Sequence, residues 1–164
     1  MKGYFQKIRF FFNKERLPSA EELLFQEDRK RLLGTLREMG DAVSTALKLV
    51  MEALEERNPE KAARVIAEDA RIDDLEMELE QQCLHVTALR RPVRNDLRFL
   101  VSLIKVAGDL ERTGDQAANI AEKAILLGKA PLLKPLRDIP KMGSLTREMT
   151  DYALKSFEAG DAHL

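Results

Sequence analysis

Two carboxylate pairs in this 164-residue chain have the spacing to do chemistry. In DARID, residues 69 to 73, Asp69 and Asp73 stand four apart; in ERTGD, residues 111 to 115, Glu111 and Asp115 repeat that interval. On an α-helix this spacing puts both members of a pair on one face. Glu111 and Asp115 keep phase with Ile104, Ala107 and Gly108 before them and Ala118 after, and Asp69 keeps phase with Val65, Ile72 and Leu79. That is the stripe a helix normally buries, and burying a charge costs several kcal/mol unless something compensates it. The carboxylates can pair with Lys or Arg, take up protons, or bind cations. Arg71, Lys105 and Arg112 lie close in sequence but point elsewhere by helical phase. Oxygen-only donors suit hard cations such as Mg, Ca, Mn or Fe(III). Gly108 and Gly114 remove bulk beside the pairs, at ~1 kcal/mol each relative to Ala in a helix interior. The competing reading leaves the pairs at the edge of the stripe, solvated or ion-paired.

Other chemistry finds little support. Oxygen-activating di-iron bundles use Glu-x-x-His pairs, whereas His85 lies about three turns beyond Asp73 and His163 is terminal. The chain has no Gly-rich phosphate loop, nucleophile elbow or Cys/His zinc pattern, and it reads as a non-enzyme. Net charge is −1, which argues against a globally basic nucleic-acid binder. Cys83 is the single cysteine and falls in an apolar phase, as a core residue in a reducing, cytoplasmic setting would. No apolar run approaches the ~18 residues of a membrane span.

The elements that must position the carboxylates are long helices. Apolar residues make up 45% of the chain and charged residues 34%, a mix that leans toward helix. Leu32, Leu36, Met39, Val43, Leu47, Val50 and Leu54 stripe a first helix starting near residue 21 or 27 and ending near 57. Asn58-Pro59 ends it and opens a second, striped by Ala62, Val65, Ile66, Ile72, Leu75, Leu79, Cys83 and Val86. A third starts between residues 92 and 96, runs to about 127, and carries Leu97, Leu100, Val101, Ile104, Ala107, Gly108, Ala118, Ala121 and Ile125 as its stripe, with Gly128 as C-cap. With the turn centred near residue 90, Asp69 and Glu111 are each 21 residues away and come level in an antiparallel hairpin.

The segment beginning at Met142 repeats the one beginning at Met39, an offset of 103 residues that also aligns Asp161 with the cap Asn58. The expected architecture is all-α: an antiparallel three-helix bundle over residues 21–130, a Pro-containing linker over 131–141, and the first helix of an incomplete second repeat over 142–164. Residues 1–20 form a separate arm with four Phe and the cations Lys2, Lys7, Arg9, Lys14 and Arg16. Tyr4, Ile8, Phe11 and Phe12 could share a helical face there, suited to packing on its own bundle or to peripheral membrane contact through residues 1–17.

Across RPVRNDLRFLVSLIKVAGDLERTGDQAANIAEKA the chain resembles the PhoU family: a P-V-x-x-D-L-R turn, then D-L-E-R-x-G-D-x-A-x-N-I-A-E. IDDLEMELEQQCLHVTALRRP is similar to the family's second helix, and the resemblance covers about residues 22 to 130. It implies tandem three-helix bundles, in keeping with the repeat, and E/D-x-x-x-D motifs that bind multinuclear metal clusters. By motif match Glu111 and Asp115 carry over as metal ligands, and Asp69 and Asp73 with them; the metal is iron, or manganese, magnesium or zinc in its place. Asp109 and Asn119 match signature positions without an assigned role. Separately, the open face of the incomplete second repeat favours self-association as a homodimer, and the expected setting is cytoplasmic. The resemblance further implies an adaptor that negatively regulates phosphate uptake and the phosphate regulon. Its partners are then the ATPase subunit of a phosphate ABC transporter and a phosphate-sensing histidine kinase. The alternatives are a soluble regulatory domain associated with a sodium/phosphate cotransporter and a carboxylate-bridged metalloenzyme.

Overall fold

The computed structural model describes residues 19–128 and 138–161. The arm reading, the prolines of the linker at 131 and 135, and His163 lie outside these residues. All regular structure among the described residues is helical: α1 (Ala20–Glu56), α2 (Pro59–Arg90), α3 (Asn95–Leu127) and α4 (Asp138–Ala159). The first three make the antiparallel bundle and α4 packs on α1. None of the described helices is long and apolar enough to cross a membrane.

Local chemistry sets the helix ends. The Ser19 hydroxyl accepts from the Glu22 N–H (3.1 Å) while the Glu22 carboxylate accepts from the Ser19 N–H (2.6 Å), a reciprocal cap that starts α1. Arg57 turns left-handed (φ 54°) to close α1. Asn58 then caps α2 by accepting from the Lys61 N–H at 3.0 Å, with Pro59 in the first turn as predicted. α4 begins at Asp138, so Pro140 belongs to its first turn rather than to a linker. A first-turn proline costs the helix nothing, because that N–H has no intrahelical partner.

The α1 stripe is buried throughout; Leu32, Leu36, Met39, Val43 and Val50 are fully excluded from water. On α2 all the predicted core residues are buried except Ile66. The α3 stripe is displaced: its buried face is Leu100, Leu103, Ala107, Leu110, Gly114, Ala117, Ala121 and Ala124. Leu97 and Val101 are exposed, at 41% and 47%. Two neighbouring apolar rows run along α3, and the row bearing Leu103 and Leu110 faces the core. Glu111 and Asp115 therefore flank the core and do not interrupt it.

The internal repeat is built into the α1–α4 contact. Gly40 lies against Leu154, and Gly143 lies against Met51. Gly40 and Gly143 are equivalent positions at the 103-residue offset, as are Met51 and Leu154, so the two helices cross with reciprocal contacts about a pseudo-two-fold axis. Arg147 donates to the Ser44 hydroxyl at 3.4 Å, its own equivalent position, near that axis. The helix ends repeat too: Gly160 (φ 66°) stands where Arg57 does. Asn58 N–H donates to the Ala53 carbonyl, and Asp161 N–H to that of Ser156, both at 3.0 Å. Arg37 and Glu158 clamp the helix pair with hydrogen bonds of 2.6 and 2.7 Å, and Phe157 stacks on Phe99 of α3 at 5.9 Å. Burial is what differs between the copies. Met39 and Ala46 are buried under α2 and α3, whereas Met142 and Met149 at the same positions of α4 are 64% and 71% exposed.

Candidate metal centre

The hairpin of α2 and α3 positions the carboxylates. Arg91 closes α2 in a left-handed conformation (φ 49°) and Arg94 enters α3 at φ 52°. These residues and Pro92 centre the turn slightly later than the sequence reading placed it, and the facing residues shift by about a turn. A Cβ on Gly108 would meet the Glu76 carboxylate at 3.4 Å, and one on Gly114 would meet Ile72 at 2.8 Å and the Asp69 carboxylate at 3.5 Å. Asp73 thus comes level with Glu111, and Asp69 with Asp115; the expected levelling of Asp69 with Glu111 is corrected accordingly. Both glycines lie beneath the site, where they leave the α2 carboxylates room.

Oxygen atoms of Asp73, Glu111 and Asp115 lie within 4.8 Å of one another. Glu111 is half-buried, while Asp73 and Asp115 are exposed. Asp69 is half-buried at the end of the group, and its oxygens stand outside that closest triad. The structure therefore assembles three of the four sequence candidates and sets the fourth beside them. Glu76 is the residue the sequence reading missed. It sits three residues after Asp73 on the same face of α2, a helical interval that extends the D-x-x-x-D motif and was legible in IDDLE.

The electrostatics are those of an uncompensated acidic cluster. Burial pushes the Asp69 carboxyl above its ordinary value, and the charges of Asp73 and Asp115 push it further. Burial also raises Glu76, followed by the charges of Glu80, Asp73 and Asp115. Glu111 is raised by burial, then by Asp115, Glu76 and Asp73, with Arg112 pulling the other way. The nearby cations are engaged elsewhere: Arg71 bonds Glu38 at 2.7 Å, and Arg112 stands 3.9 Å from Asp109. His85, on the same helix as Asp73, is about 18 Å further along it. The donor set is all oxygen, partly open to water and anionic, which fits a hard cation with room for water ligands. Asp109 is exposed beside Arg112, and Asn119 is exposed as well.

Comparison with known proteins agrees with this architecture. The PhoU domain is matched over residues 36–124. The chain is similar to a phosphate-specific transport system accessory protein PhoU homolog of Aquifex aeolicus, at 41% identity over 126 residues, covering 77% of this chain and 57% of that protein. The homolog of the same name from Zymomonas mobilis is 36% identical over 137 residues, covering 84% of this chain and 58% of that protein. The crystal structure of PhoU from Pseudomonas aeruginosa superposes with a TM-score of 0.81 at 28% identity, over 85% of this chain and 67% of that one. The chain thus spans less than two thirds of the length of these curated relatives.

Proposed function

This chain belongs to the PhoU family, and from that premise we propose that it is a non-enzymatic accessory component of phosphate-specific transport that binds metal and represses phosphate uptake and the phosphate regulon when phosphate is ample. The observation that carries the metal reading is the register of α2 against α3, which gathers Asp73, Glu111 and Asp115 within 4.8 Å. In this reading Asp73, Glu111 and Asp115 hold a hard cation, with Asp69 and Glu76 placed to join them. Iron, manganese or magnesium suits such donors. The cation neutralises charges that otherwise repel one another and ties α2 to α3 across the groove. These donors are all carboxylates and His85 lies about 18 Å away along α2, without the Glu-x-x-His pairs of di-iron bundles, so the centre reads as structural or regulatory rather than oxygen-activating.

The partners in this reading are the ATPase subunit of a phosphate ABC transporter and the phosphate-sensing histidine kinase, met at the cytoplasmic side of the membrane. The exposed Met142 and Met149 of α4 belong to a face that the next two helices of a second three-helix repeat would cover; failing those, a second copy of the chain would cover it. Elemental analysis of the purified protein beside Glu111→Ala/Asp115→Ala tests the metal centre. Stoichiometric metal in the wild type alone is the expected result, and equal metal content in the two sinks the site. The regulatory half is tested separately with a phosphate-repressible reporter in a host that lacks its own accessory protein. The wild type should silence the reporter in high phosphate, and failure to do so refutes that half.

A further inference from the structure

α4 is held differently from the other three helices. Among the described residues, every buried apolar residue of the core belongs to α1, α2 or α3, while α4 buries only Gly143. Leu154 and Phe157 are its half-buried apolar contacts, and Ile139, Met142, Leu145, Met149 and Tyr152 stay exposed along it. Clefts of about 310 and 410 Å³ separate α4 from α3. What fastens the helix is concentrated in its last turn. There Glu158 accepts the hydrogen bonds of 2.6 and 2.7 Å from the Arg37 guanidinium, and Phe157 stacks on Phe99. The Arg29 guanidinium stands 4.4 Å from the centroid of the same Phe99 ring, so that ring links a cation of α1 to a ring of α4. Further back along α4 the polar contact is the long bond from Arg147 to Ser44, and the apolar one is Met51 against Gly143.

From this we infer that α4 is a releasable strap, latched at its last turn by Phe157 and Glu158 and closed over a helix-long face of α1. A helix opens locally when it carries few buried apolar contacts and its neighbours keep a core of their own. Both conditions hold here, because the buried core lies within the first three helices. Release uncovers Gly40, Ser44 and Met51 on α1 and Phe99 on α3. The first three are small or flexible residues, which admit the close approach of a helix. The strap is thus an autoinhibitory cover: closed, α4 occupies a helix-docking face of α1, and released, it leaves that face open. The Arg37 side of the latch is 62% exposed, so salt weakens it.

The test is hydrogen exchange of the full chain, read helix by helix, in chelator so that the metal centre plays no part. The expected result is partial protection of α4, with exchange about a hundredfold faster than in the buried segments of α1, α2 and α3, and faster still at high salt. Phe157→Ala should speed α4 exchange about tenfold, and Glu158→Gln about two- to fivefold. Both side chains lie outside the buried core, so the first three helices should stay as protected as in the wild type. Exchange of α4 together with the bundle in one transition overturns the inference. So does α4 exchange that neither variant changes. An α4 without protection in the wild type also overturns it, since nothing would then be latched. Exchange of α4 that slows as protein concentration rises does the same, because a second copy would then supply the cover. Metal is absent throughout, so this inference and the metal reading fail independently.

Discussion

Glu111→Gln separates a metal centre from an ordinary acidic edge by the sign of its effect. In the metal-free protein Glu111 faces Asp73 and Asp115 with oxygens within 4.8 Å. At the dielectric of water each such contact costs about 1 kcal/mol, less with salt. The amide keeps the shape of the side chain and removes two of these repulsions, offset in part by the attraction to Arg112. Metal-free Glu111→Gln should therefore be more stable than the wild type by about 1 kcal/mol at low salt, or ~2–4 °C in a chain of this length. Saturating Mn or Fe should reverse the order, because bound metal stabilises the native state by mass action and the amide is the poorer ligand. The pH dependence agrees in sign. Asp69, Glu76 and Glu111 have folded-state values above their ordinary ones. The folded chain then holds more protons than the unfolded one just above the ordinary carboxylate range, and stability is lost as pH rises through the folded-state values. The metal-free wild type should gain stability on mild acidification, and Glu111→Gln should flatten that slope. Thermal melts with and without metal, at two pH values and two salt concentrations, read all of this. A metal-free variant less stable than the wild type refutes the repulsion argument. Identical metal responses in the two proteins refute the site.

Other positions make sharper structural statements. Leu79 is fully buried, and Leu79→Ala should cost about 2–5 kcal/mol in urea denaturation; a loss below 1 kcal/mol would mean that this layer of the bundle is not packed as described. Gly40→Leu and Gly143→Leu place branched side chains where Leu154 and Met51 already sit. Hydrogen exchange should quicken in α4 while protection of α2 and α3 persists, and unchanged α4 protection would refute the reciprocal contact. The Cys83 thiol is buried and pushed up to about 11 by burial and the Glu80 charge. It should resist alkylation at pH 8 in the native protein and react on unfolding; rapid native labelling would place it at the surface.

Secondary structure and connectivity are legible in the amino-acid order because they depend on near neighbours. Asn58-Pro59 marks both the end of α1 and the start of α2, and the apolar rows of α1 and α2 name their buried faces. Ser19 with Glu22, and Asn58 with the Lys61 N–H, are interactions between residues three apart. The 103-residue repeat is visible too, because phase and cap recur along the chain. Two apolar rows run side by side on α3, and the row expected to be buried, with Leu97, Val101 and Ile104, is the wrong neighbour, since periodicity alone does not choose between adjacent rows. The choice came from α1 and α2, which pack against Leu103, Leu110 and the small residues Gly114 and Ala117.

The same division runs through the candidate site. Each four-residue carboxylate spacing is local, so Asp69, Asp73, Glu111 and Asp115 could be named from the order of residues. Which of them meet depends on the register of two helices more than thirty residues long. That register is set by the positive-φ residues Arg91 and Arg94 in the turn and by the close approach that Gly108 and Gly114 permit. A displacement of one turn exchanges the partner of every carboxylate and brings Glu76 into the group. Sequence alone determined the helices, the Asn58 and Gly128 caps, the repeat and the family; tertiary packing decided the facing residues, because contacts between helices depend on side-chain volumes that local periodicity does not encode.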